Sequence, residues 1–147
     1  AAELDFVRRF QTTAELALSD RVTLFLFHGS PRSHMENLLA TTPPDDLDTA
    51  LAGHQATILA GGHTHVQLLR QHHGMLLVNP GSTGMPFRDF VNGRAPTLLP
   101  HAEYATVEAI NDQPVVTLRR VHVDPRALRR AVEPTTNPLR EMLLTQA

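Results

Sequence analysis

Two imidazoles stand one residue apart in the stretch Gly61-Gly62-His63-Thr64-His65, where a short apolar run gives way to glycine. A third, His28, closes the β-branched and aromatic run "VTLFLF" at positions 22 to 27. Neutral imidazole is a good ligand for zinc, iron, manganese or nickel. A His-x-His pair can chelate one ion, or divide its rings between two ions held ~3.5–4 Å apart. In an extended stretch residues i and i+2 point the same way. His63 and His65 are therefore expected on one side, with Thr64 turned away. Gly61 and Gly62 carry no side chain, which leaves room for backbone or a ligand to come close.

The other six histidines lack this setting. His72 and His73 read as solvated residues of a polar turn, and His34, His54, His101 and His122 read as structural. Ser30 beside His28, and Ser82 in "NPGS", fit no serine-hydrolase elbow, and no acid is poised to orient a histidine. Neither a Walker loop nor G-x-G-x-x-G is present. Cysteine is absent, which excludes disulfides and thiolate metal sites together. A net charge of -2 with neutral histidine offers no whole-chain attraction for nucleic acid. All 13 basic residues are arginine, which reads as genome bias. No apolar run approaches the ~20 residues that span a bilayer, and no secretory signal opens the chain, so the expected location is cytoplasmic.

At 147 residues the expected organisation is a single domain over 1–147. Apolar spacing of Leu4, Val7, Phe10, Ala14 and Leu18 predicts a helix over 1–18. Strands are expected at 22–27, 56–60 and 75–79, the last preceded by a strand and a turn at His73-Gly74. Residues 35–46 read as a short helical turn broken by Pro43 and Pro44, with Asp45 or Asp46 capping a helix over 46–54. An irregular loop over 86–101 precedes a hairpin whose turn is "NDQP". Asp124 is expected to cap a helix with Pro125 at its first position, and a short helix covers 138–145. Strands that run into glycine loops, with polar residues at their C-terminal ends, describe an α/β protein that binds ligands there.

Taken together, "FHGSP" at 27–31 and "GGHTH" at 61–65 resemble the last two metal-binding blocks of the calcineurin-like metallophosphoesterases. "NPGSTGMPF" at 79–87 is similar to the block that follows in their bacterial phosphodiesterase-like branch. The family's earlier blocks, D-x-H, G-D and G-N-H, have no counterpart: none of Glu3, Asp5, Glu15 and Asp20 stands two residues before a histidine. The resemblance thus implies part of a four-layer α-β-β-α sandwich whose N-terminal portion is missing.

By the same resemblance, His28 and His63 would ligate one divalent ion and His65 a second, the ions being manganese, iron, zinc or nickel. Arg32, four residues after His28 in the same loop, reads either as a contact for substrate phosphate or as an exposed loop arginine. The missing blocks would supply a bridging aspartate and the remaining ligands. The implied activity is hydrolysis of small phosphomonoesters or phosphodiesters by a hydroxide held between two metals. As a partial chain the protein is expected to be inactive alone, its open sheet edge calling for the missing N-terminal part or a homo-oligomer. The alternative is a non-catalytic scaffold or mononuclear metal-binding module of the same ancestry.

Overall fold

The computed structural model describes residues 2–146. Its centre is a five-stranded sheet built from β1 (Thr13–Ala17), β2 (Thr23–Phe27), β3 (Ile58–Ala60), β4 (Leu68–His72) and β5 (Met75–Asn79). The strand order is β1-β2-β3-β5-β4. The three inner strands are parallel, and each edge strand is antiparallel to its neighbour. A second, two-stranded sheet pairs β6 (His101–Ile110) with β7 (Gln113–His122). Helix α2 (Pro44–Leu51) lies between β2 and β3 in sequence; α1 (Ala2–Val7), α3 (Pro125–Val132) and α4 (Arg140–Gln146) lie outside the sheets.

The inner strands read as plain apolar runs because both of their faces are covered. Side chains alternate between two cores. Phe25, Phe27, Leu59 and Leu77 pack with Leu47, Ala50 and Leu51 of α2. Leu24, Ile58 and Val78 face the other way, against Ala105 and Val107 of β6 and Val116 and Leu118 of β7. Helix, sheet and second sheet thus stack in three layers, and the C-terminal ends of β2 and β3 open at one end of the stack.

Four expectations change in the structure. The helix forecast over 1–18 ends at Val7, and Thr13–Ala17 is a strand. A ladder to Thr23–Phe27 overrides the helical spacing there, a common victory of tertiary pairing over propensity. Residues 35–42 form no helix, and α2 begins at Pro44 with Pro43 as its N-cap, so Asp45 and Asp46 lie in the first turn. His72 is not solvated. It is 5% exposed, and its Nε2 donates to Asp48 Oδ1 at 2.7 Å. Asp48, which no sequence signal marks, is held below the ordinary carboxyl range by the hydrogen bonds from His72 and then His73.

The hairpin strands agree with expectation, with Asn111 and Asp112 at positive φ in the β6–β7 turn. So does α3, where Asp124 Oδ1 accepts from the Arg126 N–H behind Pro125. Among the described residues no helix is long and apolar enough to cross a membrane.

Candidate metal centre

His28 stands exposed just past the end of β2, and Gly29 at φ +72° turns the chain sharply after it. A Cβ at Gly29 would stand 2.5 Å from the Ser33 carbonyl oxygen, so only glycine fits that bend. The rings of His28 and His63 meet edge to face, 5.2 Å between centroids. Burial, then the nearby His63, His34 and His65, depress the His28 pKa below its ordinary value. The shift favours the neutral ring, which has a lone pair to offer a cation.

The expectation that His63 and His65 lie in an extended stretch is overturned. Both are left-handed, at φ +77° and +57°. Non-glycine residues in this region cost about 1–2 kcal/mol each. Buried polar contacts hold them there. Thr64 is 1% exposed, and the Asn79 Nδ2 donates to both Thr64 Oγ1 and the Gly62 carbonyl at 3.0 Å. Asn79 Oδ1 in turn accepts from the Gly81 N–H at 2.9 Å. Thr64 is turned inward as expected, but by a left-handed corner clamped from the neighbouring strand end. Strain of this kind concentrates at functional sites.

His65 is aimed further. Its Nδ1–H donates to the Met85 carbonyl at 2.8 Å, and its ring packs on Phe87 at 4.7 Å. A carbonyl can only accept, so Nδ1 carries the proton and Nε2 keeps its lone pair. Fixing a ligand's tautomer from behind is how metal-binding histidines are commonly prepared. The doubled glycines serve packing as much as the site: a Cβ on Gly61 would stand 2.4 Å from the Phe27 ring. At Gly62 a Cβ would sit 3.5 Å from His28 Nδ1, an ordinary contact.

The three histidines border an open cleft of about 390 Å³ with Ser82, Thr83, Glu103 and Tyr104. Glu103 is a buried carboxylate that sequence reasoning passed over. Its Oε1 accepts from Arg120 Nε and His101 Nε2, while Oε2 is buried against Gly81 without a hydrogen-bond partner. Arg32 lies apart from this cleft. Its Nε donates to both Glu36 oxygens at 3.0 Å, and it borders a separate hollow with Asn37, Asp46 and Thr49. The donor chemistry therefore fits a borderline divalent ion through imidazole nitrogen. The carboxylate on this cleft, Glu103, has one oxygen committed to Arg120 and His101 and the other buried against Gly81, so the histidines come without an accessible anionic ligand for two adjacent cations. Among the described residues, the trio whose ligand atoms all lie within 4.8 Å of one another is a different one, Asp48, His72 and His73.

The Arg32–Glu36 pair gives the loop after His28 an acid sensitivity. Arg32, by hydrogen bonding, and then Ser30 hold the Glu36 carboxyl below its ordinary pKa of 4.5. A depressed carboxyl adds stability that is fully present above the unfolded value and is lost as pH falls through the folded one. Glu36→Gln should therefore flatten the melting temperature's decline below pH 4.5. An acid limb as steep as in the wild type would show that the pair contributes nothing.

These features define a mixed α/β protein with imidazoles just past the ends of its parallel strands. The family model for the calcineurin-like phosphoesterase superfamily domain matches residues 1–99, which include His28, His63, His65 and Asn79. The chain belongs to that superfamily. A metallophosphoesterase from Sphaerobacter thermophilus superposes with a TM-score of 0.70 at 22% identity, over 99% of this chain and 60% of that one. A hypothetical protein from Pyrococcus horikoshii OT3 gives 0.69 at 17% identity, over 96% of this chain and 51% of its own. Vps29 of Entamoeba histolytica, in complex with Zn2+, gives 0.50 at 20% identity, over 78% and 62%. At these identities the likeness is one of fold. The chain spans about half to three fifths of the first two neighbours' length. No curated protein matches the chain.

Proposed function

We propose that this chain contributes His28, His63 and His65 as ligands to the divalent-metal centre of a phosphoesterase acting on small phosphomonoesters or phosphodiesters. The observation that carries the reading is the His63-Thr64-His65 corner. Two strained backbone positions are held by buried Asn79, and one ring has its proton committed to Met85. Such an arrangement is costly for packing alone and useful for presenting Nε2 to an ion. Divalent ions bound there would supply Lewis acidity and lower the pKa of water.

The chain's own residues do the holding. In this reading His28 and His63, whose ring centroids lie 5.2 Å apart, share one ion, and His65, backed by Met85, serves a second. Ser82 and Thr83 border the same cleft and offer hydroxyl donors to phosphoryl oxygens. Arg32 reaches a phosphate only by giving up Glu36. The carboxylates of a dinuclear centre would come from outside this chain, which fits its span of the structural neighbours. The expected result with bis-p-nitrophenyl phosphate and p-nitrophenyl phosphate in manganese is metal binding with little turnover. Robust hydrolysis by this 147-residue chain, lost in His65→Ala, would overturn the partial-centre reading. One ion per chain with no hydrolysis, even after a preceding segment bearing the three earlier blocks is supplied, would establish the mononuclear or scaffold alternative.

The strained corner makes a separate prediction. His63→Gly should be more stable than His63→Ala by about 1 kcal/mol, because only glycine relieves the left-handed position. Both should lose metal alike. Equal melting temperatures would show that the corner is not strained.

A further inference from the structure

At the opposite end of the sheet lies a second set of donors. β4 runs antiparallel to β5, so His72 at its C-terminal end pairs with Met75 at the start of β5. β5 is parallel to β2 and β3, whose C-terminal ends carry His28 and His63. The two ends are separated by the length of β5, roughly 13 Å at ~3.3 Å per residue.

His72 lies on the face of β4 that also carries Leu68, the side packed toward α2. Asp48, one residue beyond buried Leu47 on α2, meets it there. His73 and Gly74 form the two-residue β4–β5 turn, both at positive φ. A type I′ turn prefers Asn or Asp at its first position, yet histidine occupies it here. From that turn His73 Nε2 comes within 3.2 Å of Asp48 Oδ1, and His72 Nε2 within 2.7 Å of the same atom. Ligand atoms at ~2.1 Å from one ion, at tetrahedral or octahedral angles, sit roughly 3.0–3.4 Å apart. The observed separations are close to that, and all three donors converge within 4.8 Å.

We propose that Asp48, His72 and His73 form a mononuclear site for a zinc-class divalent ion, independent of the centre at His28, His63 and His65. Two imidazoles and a carboxylate are a donor set for zinc or nickel rather than for magnesium or calcium. The buried His72 is the fixed donor, and the exposed Asp48 and His73 close on the ion from α2 and from the turn. The ion ties α2 to the edge hairpin. An open cleft of about 540 Å³ with Gln55, His54 and Met75 adjoins Asp48 and His73, leaving space for water or a small anion as a further ligand.

The test is zinc titration with metal analysis and melting temperature, on the full chain. His73→Asn removes the imidazole while suiting the turn, so it should fold. Asp48→Asn keeps the shape of the carboxylate. The wild type and His63→Gly should each show a zinc equivalent that raises the melting temperature. In His73→Asn and Asp48→Asn that equivalent should bind more than about tenfold more weakly, with the thermal shift gone. Full zinc content and an unchanged shift in His73→Asn overturn the site. So does loss of every zinc equivalent in His63→Gly, and so does a wild type that takes up none.

Discussion

Asn79→Ala is expected to lower the melting temperature by about 10 °C and to abolish metal binding at the proposed centre of His63 and His65. The side chain is 3% exposed and makes three hydrogen bonds, to Gly62, Thr64 and Gly81. Truncation leaves the Thr64 hydroxyl without its donor and the Gly81 N–H without its acceptor. Each buried group stranded this way costs about 1–3 kcal/mol, so a total near 3 kcal/mol follows even if water repairs part of it. For a chain of this size each kcal/mol is worth about 2–4 °C. Because Asn79 holds the left-handed corner, its loss also lets His63 and His65 relax to negative φ and turn their rings away. Asn79→Asp separates the two halves of the role. It keeps the acceptor for Gly81 but sets an oxygen against the Gly62 carbonyl, and should fall between wild type and alanine. An alanine variant within 1 kcal/mol of wild type in thermal melts, with metal retained, would refute the clamp.

The second large effect is at Gly81. Alanine there would place its Cβ 2.1 Å from Glu103 Oε2 and 2.7 Å from Glu103 Cβ, at a backbone φ of +82°. Left-handed strain of about 1–2 kcal/mol adds to overpacking of about 1–3 kcal/mol, so Gly81→Ala should cost near 3–4 kcal/mol. Glu103 cannot swing aside easily. It is 1% exposed and its Oε1 is held by Arg120 and His101. The clash makes the effects non-additive: Gly81→Ala in a Glu103→Ala background should cost less than in the wild type by about 1–2 kcal/mol. Chemical denaturation of the four proteins of the cycle reads this directly. Strict additivity would mean that Glu103 yields freely and that the close contact carries no energy.

These two residues show what was and was not legible beforehand. "NPGSTGMPF" was readable as a block similar to one in the family, but the role of Asn79 depends on contacts 15 and 17 residues back along the chain. Glu103 lay unremarked in a strand of the expected hairpin. Its burial follows from β6 lying over the end of the main sheet, which no local pattern states.

What the sequence by itself determined is what local chemistry carries. The apolar strands expected at 22–27, 56–60 and 75–79, the turn at His73-Gly74, a hairpin turn within "NDQP" that the structure shortens to Asn111-Asp112, and the Asp124-Pro125 cap follow from side-chain periodicity and φ preferences. His28, His63 and His65 were legible at strand ends by the same signals, whereas the kinship with phosphoesterases came from the likeness of "FHGSP", "GGHTH" and "NPGSTGMPF" to the family's blocks. Tertiary structure alone decided that Thr13–Ala17 is a strand, because its partner β2 provides the hydrogen bonds. It decided that His63 and His65 are left-handed, because buried Asn79 and Thr64 outweigh the strain of about 1–2 kcal/mol at each. It also joined Asp48 to His72 and His73 across 24 and 25 residues. Convergence of that kind is set by the packing of α2 on the sheet, and the spacing of residues along one chain holds no record of it.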